Sequence, residues 1–223
     1  MNYTMYHLHS DYSLLDSCTN YKEYIDYAVS LRQKAIAFTE HGKPMGWVAK
    51  KKYCDEKGIK YIHGVECYLT EKLLWDNSEK IRDNYHTILI AKNFKGLLEI
   101  NELISRSTDK DHTYYHNRVS FDEFLQLSNN IITISACLAS PLNKLDVNNP
   151  MYEKLVKRYD YLEIQSHNCQ EQKDFNTHLA IMSNKYHKPL IVGTDTHSLN
   201  KYKAECRKIL LKYKDRSYGD EDK

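Results

Sequence analysis

The sequence predicts a parallel α/β fold of the β/α-barrel kind, and three observations carry that reading. Apolar strand-like runs alternate with helical stretches along the whole chain, the pattern of a parallel sheet wrapped by helices. The length, 223 residues, suits one sizeable core, and single β/α barrels fall in this range. Side chains able to bind a metal sit at or just past the ends of the apolar runs, or within one. In such barrels the C-terminal strand ends converge on an active site.

Tyr6-His7-Leu8-His9-Ser10-Asp11 reads as a first strand. Side chains two apart share a strand face, so His7 and His9 project together. A loop over 11–19 leads to a helix reaching about residue 34, with Thr19 or Asn20 as its cap and Tyr24, Tyr27, Ala28 and Leu31 at helical spacing. Residues 35–39 are a short continuous apolar run, as a buried parallel strand would be, ending in Glu40-His41-Gly42. A helix over about 45–57 stops at Gly58, a natural C-cap.

Residues 59–69 read as the next strand, containing Gly64-Val65-Glu66, and 70–84 as a polar surface excursion. A strand over 85–91 is followed by a helix over about 94–105. Residues 108–118 read as the least structured interior stretch. Ser120 caps a short helix (121–127), and strand 131–135 delivers Cys137. A helix near 151–158, a strand over 161–165, a helix over roughly 171–187, a final strand opened by Pro189 and a last helix over about 201–214 complete the pattern. Residues 1–214 read as one domain and 215–223 as a charged, frayed tail.

Hydrophobic residues at 41% and charged ones at 28% place the chain among ordinary globular proteins. A net charge of +2 demands no nucleic-acid partner and excludes none, since a cleft can be basic on a near-neutral protein. The start lacks the segments of a signal peptide, and the apolar runs are far too short to cross a bilayer. Six scattered cysteines without a C-x-x-C pair write no zinc knuckle or redox motif and fit reduced thiols in the cytoplasm.

A lone His-x-His is more often two polar residues on a solvated strand face than a metal site. What overturns that here is the far end of the chain. Leu190-Ile191-Val192-Gly193-Thr194-Asp195-Thr196-His197 repeats the design, an apolar run followed by two metal-capable side chains two residues apart. Lys50-Lys51-Lys52 with Lys57 could touch phosphates but reads first as a solvated helix face. Among the 19 tyrosines most read as core, and the 110–118 segment, with Tyr115 and Arg118, as a substrate-facing loop.

The sequence resembles the polymerase and histidinol phosphatase (PHP) family, and within it the N-terminal PHP domains of bacterial DNA polymerase III alpha subunits. The residues that carry the resemblance are His7-Leu8-His9-Ser10-Asp11-Tyr12-Ser13-Leu14-Leu15-Asp16, Phe38-Thr39-Glu40-His41-Gly42, Gly64-Val65-Glu66, Tyr85-His86, Ser135-Ala136-Cys137-Leu138 and Thr194-Asp195-Thr196-His197. They occur in the family's order. One departure stands at Glu40, where the polymerases usually carry Asp.

The resemblance implies a distorted seven-stranded β/α barrel with a metal site at the C-terminal strand ends. Its ligands would be His7, His9, Asp16, His41, Glu66, His86, Cys137, Asp195 and His197. They would hold two or three divalent ions of zinc, manganese or iron. His7, His9, Glu66 and Asp195 would bind one, Glu66 would bridge to a second held by His86 and Cys137, and Asp16, His41 and His197 would bind the third. Glu163 would hold a ligand from behind. Metal-activated water would attack phosphorus, with no catalytic side chain beyond it. The implied activity is a 3′–5′ exonuclease on single-stranded DNA ends, with replication proteins or the rest of a polymerase chain as partners and no membrane. The alternatives are a non-catalytic docking module of a replication polymerase and a small-molecule phosphatase of the histidinol-phosphate type.

Overall fold

A computed structural model describes residues 3–73 and 82–213. The tail 215–223 and most of the excursion expected over 70–84 lie outside the described residues.

Residues 6–11 do not form the predicted strand. Residues 5–9 are held on one side by Ala37 N–H donating to Met5 O and Thr39 N–H donating to Leu8 O. On the other side a single bridge pairs Leu8 with Thr196. Asn20, not Thr19, caps α1 (Tyr21–Ser30), accepting from Lys22 N–H while Glu23 returns to the Asn20 N–H. The buried β1 (Ala35–Phe38) and the helix α2 (Trp47–Glu56) follow. Then come β2 (Lys60–Thr70), β3 (Tyr85–Ala91) and α3 (Phe94–Arg106).

The 108–118 stretch ends in a short strand, β4 (Arg118–Ser120), which the sequence pattern did not predict. Ser120 caps α4 (Phe121–Leu125) as expected. The rest of the chain is β5 (Ile131–Ile134), a four-residue α5 (Pro141–Lys144), α6 (Tyr152–Arg158), β6 (Leu162–Gln165), α7 (Gln170–Tyr186), β7 (Leu190–Gly193) and α8 (Lys201–Tyr213).

The sheet is mixed, which corrects the all-parallel expectation. β1 pairs parallel with β2, but β3 runs antiparallel to β2, and β5 antiparallel to β3. Antiparallel neighbours need no crossover helix between them. β4 pairs with the end of β2, on residues 68–70. The described strands form a five-stranded sheet and a separate β6–β7 pair, not the expected closed seven-stranded barrel. Between the two sheets run isolated bridges, Ile134–Tyr161 directly and Leu8–Thr196 through the extended first segment.

Alternation along β2 sorts its side chains. Val65, Cys67 and Leu69 join the large core with Ile100, Phe124, Leu155 and Phe175 of the covering helices. A second core packs α1 and α2 on Ile36 and Phe38. A third cluster, Tyr6, Ala37, Ile88, Ile90, Ile134 and Ala136, fills the inner side of the sheet. Glu66 is one residue out of phase with Val65 and Cys67, and His86 pairs with Tyr68, two residues from Glu66, so both share that inner side. No helix among the described residues is long and apolar enough to cross a membrane.

Candidate metal centre

The inner side opens into a cavity of about 660 Å³ whose lining includes Asp16, His41, Glu66, His86, Cys137, Asp195 and His197. His7 and His9 lie fully buried beneath it. All nine residues expected to bind metal are therefore gathered at one place. They arrive from different directions. His41 follows β1, Cys137 follows β5 and Asp195 follows β7, each just past a C-terminal strand end. His86 sits at the N-terminal end of β3, and reaches the same place only because β3 runs backwards. His86 thus joins a site expected at the C-terminal strand ends from the opposite end of its own strand.

Glu66 stands at the centre. Its Oε1 is 3.3 Å from His7 Nε2 and 2.9 Å from His86 Nδ1. Its Oε2 is 2.6 Å from His41 Nδ1 and 3.7 Å from His9 Nε2. Asp195 Oδ1 lies 3.1 Å from His7 Nε2 and 3.3 Å from His9 Nε2. Cys137 Sγ is 3.6 Å from His86 Nδ1. Asp16 Oδ2 lies 2.8 Å from His41 Nε2 and 3.3 Å from His197 Nε2. Ligand atoms of three sets lie within 4.8 Å of one another: His7, His9 and Asp195; Glu66, His86 and Cys137; and His9, His41 and His197.

Charge and burial are at odds here in a way that suits cations. Burial opposes ionisation of Glu66 and Asp195, yet the surrounding imidazoles, His86 and His41 for Glu66 and His7 and His197 for Asp195, hold both well below the usual carboxylate range. Burial, then His41 and His197, push His9 down to about 3, so it is neutral. Burial, then Asp195 and Glu66, push the Cys137 thiol well up, and a cation would reverse that.

Two buried polar atoms, His9 Nε2 and Asp195 Oδ1, face each other with no hydrogen-bond partner. Buried polar groups are rarely left so. Imidazole, carboxylate and thiol donors around such a gap fit zinc, manganese or iron.

Backbone strain collects at the same place. Leu15, Ala136, Asp195 and Tyr115 all have positive φ, between 44° and 64°. Leu15 and Ala136 directly precede Asp16 and Cys137, and Asp195 is itself in the group. Such conformations cost about 1–3 kcal/mol each and cluster at functional sites.

Glu163 lies behind His7, its Oε1 accepting from Nδ1 at 2.6 Å and from Gln165 Nε2 at 2.7 Å. Gly193 makes room for it, since a Cβ there would lie 2.1 Å from Glu163 Oε1. Tyr115 is exposed at the cavity rim. Arg118 is not. It is buried and bonded to Asp83 Oδ1 at 3.0 Å, bracing the loop before β3. The guanidinium stacked on Tyr115 belongs to Arg82.

Two contributors carried no recognisable signal. Arg207 of α8, buried, donates to Asp16 O at 2.6 Å and Asp16 Oδ1 at 2.8 Å. Lys50, read as part of a solvated run, is buried against Glu40 at 2.5 Å, whereas Lys51 and Lys52 are exposed.

A family model described as PHP domain matches residues 5–167. The chain belongs to the PHP domain family. Among curated relatives, this PHP chain is 32% identical to DNA polymerase III subunit alpha of Borreliella burgdorferi and 31% identical to that of Aquifex aeolicus, each over 92% of its own length. It spans 19% of the length of each of those relatives. Solved PHP-like folds are more distant. A candidate metal-dependent phosphoesterase from Bifidobacterium adolescentis aligns at TM-score 0.55, 13% identity and 87% coverage of both chains. An amidohydrolase from Chromobacterium violaceum with bound sulfate and no metal aligns at 0.54, 14% identity and 89% and 88% coverage. These likenesses show the fold.

Proposed function

We propose that residues 1–214 form a metal-dependent phosphodiesterase domain that trims single-stranded DNA ends as a 3′–5′ exonuclease. The observation that carries the reading is the pair of unpartnered buried atoms, His9 Nε2 and Asp195 Oδ1, set among imidazoles and carboxylates at the floor of an open cavity. His7, His9 and Asp195 would hold one divalent ion, Glu66, His86 and Cys137 a second, and Asp16, His41 and His197 a third, each zinc, manganese or iron. When bound, such ions lower the pKa of a coordinated water and clamp the oxygens of a phosphoester.

The protein's own part is to orient and to select. Glu66 faces four imidazoles at once and would help to hold more than one ion. Glu163 fixes His7 from behind. Exposed Lys43 at the rim would meet a substrate phosphate, and Tyr115 would offer a face to a terminal base.

The DNA substrate and a cytoplasmic role beside replication proteins or the rest of a polymerase chain are inferred from the polymerase subunits the chain resembles. The test is hydrolysis of an end-labelled single strand with manganese by the wild type, His9→Ala and Asp195→Ala. Loss of at least 100-fold in both variants is expected. Equal activity in all three overturns the reading, and no wild-type activity favours the docking module.

A further inference from the structure

Behind His9, away from the cavity, lies a buried chain of hydrogen bonds whose direction is fixed at every step. Lys50 is 1% exposed and Glu40 is 0% exposed. The ammonium donates to Glu40 Oε1 at 2.5 Å and to Met45 O at 2.8 Å. It also sits 4.8 Å from the centres of the Tyr12 and Phe38 rings. Ser10 donates to the same carboxylate from its hydroxyl and its N–H. A carboxylate so held is an acceptor only.

Ser13 Oγ, 2.5 Å from Glu40 Oε2, must therefore spend its one proton there. What remains of Ser13 is acceptor capacity. It takes His41 N–H at 3.2 Å and faces His9 Nδ1 at 3.0 Å. With its proton already committed, Ser13 can only accept from His9, so the His9 ring proton belongs on Nδ1. A neutral imidazole has one ring proton, which leaves Nε2 bare. The opposite pull is present too. Asp195 Oδ1 at 3.3 Å and Glu66 Oε2 at 3.7 Å lie on the Nε2 side, and carboxylates would draw the proton towards them.

We propose that the Lys50–Glu40 pair is a positioning device which, through Ser13, locks His9 in its Nδ1–H tautomer and leaves Nε2 free as a ligand atom. The proposal deepens the metal-site reading and, for its effect on affinity, rests on it. A buried ion pair is weak evidence for stability. Here its use is to give a proton a fixed address. Lys50 lies at the start of a Lys-Lys-Lys run, and only its burial separates it from its neighbours.

The test is long-range proton–nitrogen correlation NMR of the chelator-treated full chain, labelled at histidine nitrogens, with His9 assigned by its absence in His9→Gln. The wild type is expected to show a protonated Nδ1 and a bare Nε2 at His9. Ser13→Ala should move the proton to Nε2 or average the two forms, and Ser13→Thr should restore the wild-type pattern. Zinc titration should give about 10–100-fold weaker binding for Ser13→Ala, with Ser13→Thr near wild type.

A wild-type His9 with its proton on Nε2 overturns the proposal whatever any variant does. So does an unchanged pattern in a folded Ser13→Ala. A wild type with the Nδ1–H pattern but no zinc binding supports the tautomer lock and refutes the metal-site reading, so the two fail separately.

Discussion

His63, outside the cavity lining, shows how a single buried side chain ties stability to pH. It is 4% exposed on β2. Asn101 Oδ1, an acceptor, lies 3.1 Å from its Nε2, and the Tyr61 hydroxyl lies 3.3 Å from its Nδ1. Nε2 therefore carries the proton and Nδ1 accepts. Burial, opposed by the Asn101 hydrogen bond, pushes His63 down to about 4 from 6.5. Its folded value is thus below its unfolded one. Above pH 6.5 neither state is protonated and the contribution is complete. Between pH 6.5 and 4 the unfolded chain binds more protons, so stability is lost as pH falls.

His63→Gln, which keeps a donor for Asn101, should lose less stability between pH 7 and pH 4.5 in denaturant titrations. A slope matching wild type would contradict the assignment. At this scale the sequence was legible where partners are close in the chain. His7 and His9, or Asp195 and His197, announce themselves at a spacing of two. Arg118 and Lys50 did not, because an arginine 35 residues from its aspartate, or a lysine inside a charge run, looks the same buried or solvated.

Among the elements, α8 does more than cover the sheet. Arg207 clamps Asp16 through its carbonyl and Oδ1, leaving Oδ2 towards His41 and His197. Lys203, one turn earlier, ties α8 to α1 through Glu23 at 2.8 Å. Burial opposes the charge on Asp16, but hydrogen bonds from His197 and His41, and then the Arg207 charge, hold its carboxyl far below the usual range.

Arg207→Met should therefore cost the chelator-treated protein on the order of 1.5–3 kcal/mol, the worth of hydrogen bonds to a charged group. Lys208→Met, one residue on in a half-exposed pair with Glu205, should stay within about 0.5 kcal/mol. Denaturant midpoints decide it, and equal effects would deny the clamp. Helices and strands were largely legible from period and caps. Strand direction was not, because alternation is the same read either way along β3, and with it went the closed barrel and the origin of His86.

For the molecule as a whole, the first and last segments meet at several places, α8 against Asp16 and Glu23 and the loop after β7 against residues 5–9. Residues 5–9 touch 194–197 through the Leu8–Thr196 bridge and the group around Asp195, and further along the Ser17 hydroxyl donates to His197 O. An ion shared by His7, His9 and Asp195 would staple the two. Saturating zinc or manganese should raise the thermal midpoint of stripped protein, by the equivalent of about 2.7 kcal/mol at 100 times the dissociation constant. Asp195→Ala should lose most of that gain, and a midpoint indifferent to metal would remove the staple.

The same meeting of ends orders events in time. His7 and His9 emerge first during synthesis, and Asp195 and His197 follow nearly 190 residues later. At about 5–20 residues per second that is a delay of roughly 10–40 s. Through it the earlier part of the site waits without Asp195 and His197. The centre is thus a late product of folding, closed by contacts between residues far apart in the chain, and such contacts are the slowest kind to form.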